Sequence, residues 1–492
     1  MLTEILLIIL SAILSCWFYL NECKRPKKYP PGPSWIPFIG NGPELRQLAK
    51  QCGGQHLAFS ALASKFDTEV VGLKLGKENV ICVCSYDTVK QVLTSQQYQG
   101  RPDNFFMRLR SFGLRKGITG VDGELWKEQR AFLVSHLRAL GFGRSAMEEM
   151  IKEEIKDILN LIENSKEGID LSATVSPSVV NILWKLTSGK SIKNNNDITK
   201  LLDLLKQRSK AFDMSGGFLN HYPWLRHLAP QKTGYSLLQT INNQIRQFIM
   251  EAVNEHKSQW TEGRSDDFIY SFLGEMKKQN YYDNSNFTDD QLIIVCLDIL
   301  IAGSTTTNHT IDFAFLAMIL YPEIQAKVHK CLDTEFKKDE DINYNDKQRV
   351  PYIEAVLLEC QRMFAVVPMV GPRRVLSETS LSEFIIPKDT TVLINLHSVH
   401  HDKDYWKDPE IFKPERFLDA DTQLICSDRI LTFGLGKRRC LGDALAKSCI
   451  FLFFVEILRR YRIESSEKLT GKQVPGITMS PEKYKAKFVA RF

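Results

Sequence analysis

Many catalytic signatures are missing from this 492-residue sequence, and each absence removes a chemistry. There is no Cys-x-x-Cys, His-Glu-x-x-His or Gly-x-Ser-x-Gly, which removes thioredoxin-like exchange, zinc-protease and serine-hydrolase mechanisms. Phosphate loops are incomplete: Gly72 to Glu78 is one residue short and lacks the final Ser/Thr, and Gly189-Lys190-Ser191 has Trp184 where the first Gly belongs. Gly434-Leu435-Gly436 begins a dinucleotide fingerprint, but Arg439 stands where a third Gly permits close helix packing. Redox chemistry in this chain needs electrons from outside. A strong excess of one charge is missing too: 64 Lys+Arg against 58 Asp+Glu leave +6, so any basic partner surface is local. The 11 Cys, scattered from Cys16 to Cys449, have neither zinc spacing nor the density of a disulfide scaffold.

What is present is an apolar start and a large globular body. Ile5 to Leu20 is an uncharged run, preceded by Glu4 and followed by Lys24, Arg25, Lys27 and Lys28. The charge order predicts a retained anchor over 1–23 with the rest of the chain cytosolic. Pro30, Pro31 and Pro33 make 24–33 a stiff hinge, so the body is 34–492. Thr68–Leu75 and Asn79–Cys84 read as a hairpin. Apolar spacing of three and four predicts helices over Trp126–Leu140, Met147–Glu163, Ile198–Phe212 and Leu237–His256. From Thr288 a capping box opens an apolar run to Leu320, stopped by Pro322. At 1.5 Å per residue that helix is about 50 Å long and must cross the body. Arg374–Leu376, Phe384–Ile386 and Thr391–Leu396 read as strands, and a last helix as Leu441–Tyr461. The expected fold is mainly α with minor β, in one large domain.

The segment Phe433-Gly434-Leu435-Gly436-Lys437-Arg438-Arg439-Cys440-Leu441-Gly442 combines a Gly-rich turn, cations that can meet carboxylates, and a Cys just before a helix N-terminus. Such a Cys is a metal ligand, a reactive thiol or an inert loop residue, and thiolate ligation of haem iron is within its chemistry. Spacing narrows the choice. The segment resembles the haem-binding signature of cytochrome P450s, Phe-x-x-Gly-x-Arg-x-Cys-x-Gly, at Phe433, Gly436, Arg438, Cys440 and Gly442. Trp126-x-x-x-Arg130, Ala302-Gly303-x-x-Thr306-Thr307, Glu359-x-x-Arg362 and Phe412-x-Pro414-x-Arg416-Phe417 follow the family's order.

The resemblance implies haem b with Cys440 as axial ligand. It also implies propionate contacts from Trp126, Arg130, Arg374 and Arg438, and a buried Glu359, Arg362 and Arg416 network. Gly303 is expected to leave room for O2 and Thr306 to hydrogen-bond it. Where many members have an acid before that Thr this chain has Thr305, so proton delivery falls to water or to Asp298. By position, the substrate pocket is expected near Phe105, Phe106, Phe212, Leu300, Ala302, Val366, Val367, Met369, Val370 and Ile477, an apolar set suited to a lipophilic molecule. Lys127, Arg130, Lys437, Arg438 and Arg439 suit docking of NADPH-cytochrome P450 reductase, with cytochrome b5 as a further donor, at the endoplasmic reticulum.

The segments at 115–119, 371–376 and 440–446 look most like insect microsomal members near the juvenile-hormone-forming epoxidases. They imply epoxidation of methyl farnesoate; the alternatives are another small lipophile, such as an aromatic odorant or a xenobiotic, a haem-thiolate isomerase or dehydratase needing no external electrons, or a membrane-bound haem protein without turnover.

Overall fold

A computed structural model describes residues 4–5, 23–139, 141, 143–165, 168–192, 194–211, 219, 222–279, 285–425 and 427–492. Nearly all of the anchor run and Phe212 lie outside the described residues. The hairpin pairs β1 (Val70–Leu75) with β2 (Glu78–Val83), Leu75 opposite Glu78. Its two-residue turn needs Gly76, at φ +59°. β3 (Met369–Arg374) and β4 (Thr391–Asn395) complete a sheet in the order β1-β2-β4-β3, the β2-β4 pair being parallel. The strand expected at Arg374–Leu376 therefore ends where it was expected to begin. Tyr29 roots the hinge: it is buried and its hydroxyl donates to the Val80 carbonyl (2.9 Å).

Helices carry the rest. Those used below are α1 (Gly123–Ala139), α2 (Leu171–Ser188), α3 (Asn195–Ala211), α4 (Asp289–Leu320), α5 (Pro351–Phe364) and α6 (Asp443–Arg460). The 32 residues of α4 are mostly buried, and the helix packs against α2, α5 and α6. A helix apolar on every side is what a core position demands. Only half of the expected capping box forms. Thr288 accepts from the Gln291 amide, but the Gln291 side chain bonds both backbone groups of Gly117 (3.0 Å each) and does not return to the cap. Pro322 both stops α4 and opens the next helix, where its missing N–H costs nothing.

Candidate active site

The Cys440 loop is held by its own backbone. The Cys440 amide donates to the Phe433 carbonyl (2.8 Å), and Gly434 and Gly436 turn the chain at φ +67° and +69°. A Cβ on Gly436 would stand 2.5 Å from the Leu93 carbonyl oxygen, so only Gly fits. Lys447 lies 5.2 Å from the Phe433 ring centroid, and Gly442 caps α6. Cys440 is exposed although protein surrounds it densely. Burial pushes its thiol up; the Gly442 amide hydrogen bond and the charges of Arg130 and Arg439 oppose that shift.

On α5, Glu359 and Arg362 form a fully buried bidentate pair (2.7 and 2.9 Å). Arg362 also donates to the carbonyls of His400 (3.0 Å) and Pro409 (2.8 Å), while Glu359 accepts from the Lys413 amide (2.8 Å). Arg416 approaches Glu359 at 3.5 Å and bonds the Trp406 and Asp408 carbonyls. Three chain segments are thereby tied together.

A second set of cations has no such partner. The Arg438 guanidinium lies 3.8 Å from the Trp126 ring centroid and donates to the Gln99 carbonyl (2.9 Å); its Nε and one Nη are buried without a partner among the described residues. Arg130 donates to the Arg439 carbonyl. Arg374 does not join them. It pairs with Asp122 (3.0 Å) and Asp389 (2.7 Å), its side chain 22% exposed. Arg373 does join, because adjacent strand residues point to opposite faces. It is 1% exposed, and its Nε has no partner among the described residues. Burial, then repulsion by neighbouring cations (Arg110 for Arg101, Arg101 for Arg438 and Arg373), pushes Arg101 down to about 10, Arg438 to about 9 and Arg373 to about 8. Buried cations crowded together, with nitrogens unsatisfied, mark the place of an anion. Sequence reading missed Arg101 and Arg373; the Arg373-Arg374 doublet was the available signal.

On α4, Thr306 donates to the Ala302 carbonyl (2.7 Å), and Ala302 is exposed in the middle of this buried helix. Gly303 does not face an open gap: a Cβ there would meet Leu183 of α2 at 2.7 Å, so this Gly lets two helices approach. Asp298 is committed as well. Its carboxylate pairs with Arg110 (2.6 Å) and accepts from the amides of Ile118 (2.8 Å) and Thr119 (2.9 Å). It pins the 117–119 loop, and both its oxygens are engaged by protein donors.

The family model for Cytochrome P450 matches residues 30–488. The chain belongs to the cytochrome P450 family. A probable cytochrome P450 305a1 of Drosophila melanogaster is 41% identical over 99% of both chains. A farnesoate epoxidase of Bombyx mori is 34% identical over 99% of this chain and 98% of its own, and human cytochrome P450 2J2 is 31% identical over 93% and 90%.

This P450 is thus a monooxygenase of the haem-thiolate class, and its residues fit the group. Cys440 is accessible to a ligand, and the unsatisfied nitrogens of Arg438 and Arg373 suit two propionate carboxylates. The expected pocket residues divide. Phe105, Phe106 and Ile477 meet Leu109, Tyr235 and Leu238 in one apolar cluster. Leu300 and Val366 belong to the main core, Met369 and Val370 pack on opposite faces of the sheet, and Val367 is half-buried.

Proposed function

We propose that this P450 is anchored in the endoplasmic reticulum membrane with its body in the cytosol. It takes electrons from NADPH-cytochrome P450 reductase, with cytochrome b5 as a second donor, and epoxidises a farnesoid ester such as methyl farnesoate. The observation that carries the substrate is the 34% identity, along nearly the whole chain, to a protein named farnesoate epoxidase. The cluster of Phe105, Phe106, Leu109, Leu238 and Ile477 supports it, because an isoprenoid chain is bound by apolar contact.

Haem bound at Cys440 supplies oxygen activation. The chain's own groups do the rest. Cys440 would ligate the iron, the Gly442 amide would steady its sulfur, and Arg101, Arg130, Arg373, Arg438 and Trp126 would hold the propionate edge. Thr306 offers a hydroxyl beside exposed Ala302 for hydrogen bonding to O2. On the outer face Lys437 is exposed, whereas Arg439 is paired with Asp443 and Lys127 with Glu124 (2.6 Å), so Lys437 is the charge best placed for an acidic donor.

Titrating the purified holoenzyme with methyl farnesoate against a panel of small lipophiles tests the substrate: a spectral transition saturating at lower concentration than any panel member supports it, and tighter binding of an odorant or xenobiotic overturns it. Turnover that persists without NADPH and reductase would establish the isomerase or dehydratase class instead. Lys437→Glu should slow reductase-driven turnover most at low salt; an unchanged rate counts against this docking face.

A further inference from the structure

With Thr305 lacking a carboxyl and Asp298 tied to Arg110, the source of protons lies elsewhere. Thr305, Asn308, His309 and Asp312 share one face of α4, and with Ser304 they line a cavity of about 990 Å3 whose other walls come from α2, α3, the 46–56 segment, Pro368, Met369 and residues 474–484. Cys440 is not on its wall. Ser304 and Asn308, one turn apart, are only 4% and 3% exposed, yet Ser304 Oγ and Asn308 Oδ1 have no partner among the described residues. Buried polar atoms left unpaired in this way are sites that an ordered water can complete. The amide of Asn308 donates to Ser172 Oγ (3.0 Å), Ser172 bonds the Asp312 carboxyl, and the Tyr484 hydroxyl donates to Asp312 Oδ1 (2.8 Å).

We propose that Asp312 feeds protons through Ser172 and water held by Asn308 and Ser304 toward Thr305 and Thr306, in place of the carboxylic acid that position 305 lacks. Asp312 gives its proton to Ser172 as that hydroxyl passes its own to the bound water. The carboxylate is then reprotonated from the cavity, so the chain is unchanged and solvent supplies every proton consumed. Burial first, and Asp170 after it, push the Asp312 carboxyl up to about 7 against the hydrogen bonds of Tyr484 and Ser172, so it exchanges protons near neutrality. The titratable groups that act on it directly are Asp170 and Tyr484, and the wall of the same cavity also carries Asp203, Lys206, Lys210, Glu482 and Lys483; His309, pushed down to about 4 by burial, is neutral there. The inference rests on the monooxygenase assignment and not on any one substrate.

The resting full-length holoenzyme is examined first by infrared difference spectroscopy across pH 5 to 9, a range of about two units on either side of the Asp312 value. A protonated carboxyl band that titrates near neutrality, vanishes in Asp312→Asn and shifts in Ser172→Ala supports the relay; its absence overturns it. NADPH oxidation and peroxide release are then followed with reductase, without added substrate, in H2O and D2O. Asp312→Asn and Ser304→Ala should slow the proton-dependent branch about tenfold and remove the inflection near pH 7, with haem content retained. If Asp312→Asn does not fold, Ser304→Ala and Ser172→Ala carry the test. Variants that keep the wild-type pH profile and isotope effect overturn the proposal.

Discussion

Two sides of this site treat buried polarity in opposite ways. On α5, Glu359 and Arg362 are fully buried and satisfied by each other and by three backbone groups. Around Arg373 and Arg438, and along Ser304 and Asn308, groups almost as deeply buried are left open. A closed network makes a rigid frame, because losing one member strands the others. An open one is unfinished until a ligand arrives. The frame is therefore the place for stability and the open groups are the place for haem and water.

The strongest way to break this contrast is Glu359→Gln. Stranding the Arg362 cation inside the frame should cost about 3–5 kcal/mol, and thermal unfolding together with haem content should show a destabilised protein that fails to retain haem. Acid should attack the same region next. Burial, before other causes, pushes His56 and His401 down to about 4 and His400 to about 3. His400 Nε2 accepts from the Leu431 amide (3.2 Å), which requires the neutral ring. Because the folded values lie below the unfolded 6.5, stability is full above pH 6.5 and falls as the pH drops toward about 4. Urea unfolding in that window should show net proton uptake, and substituting His400 should reduce the slope.

Gly436→Ala should come third. A positive φ and contact with the Leu93 carbonyl should cost about 1–3 kcal/mol, read as a lower Tm with weakened haem retention. The finest test sets Arg373 against its neighbour. Arg373→Leu removes an unsatisfied buried cation, so the haem-free protein should lose no stability while haem dissociates faster. Arg374→Ala breaks only partly exposed pairs and should cost less than about 1 kcal/mol, with haem retention unchanged. If the two exchanged phenotypes, the face assigned to each would be wrong.

Much of the frame was legible because it is local. The hairpin, α1, α6 and the Thr288 cap follow from spacing within a few residues. Glu359 and Arg362 also meet because three residues make nearly one helical turn. The rest depended on distant chain. Gln291 completes a capping box on paper but binds Gly117, 174 residues away. Gly303 answers to Leu183, and Asp298 to Arg110 and the 118–119 amides. None of these pairings leaves a periodic trace.

The sequence alone determined that one Cys, among 11, sits in a glycine turn ahead of a helix with the spacing of a haem-thiolate loop, and that a single long apolar helix must form the middle of the body. Turns and helices are set by backbone preferences over a few residues. Only the tertiary structure decided which arginine of a doublet faces inward, which carboxylate is spent on an ion pair, and which buried hydroxyl and amide are left open. Those are questions of which faces meet, and that is settled only when the whole core has packed.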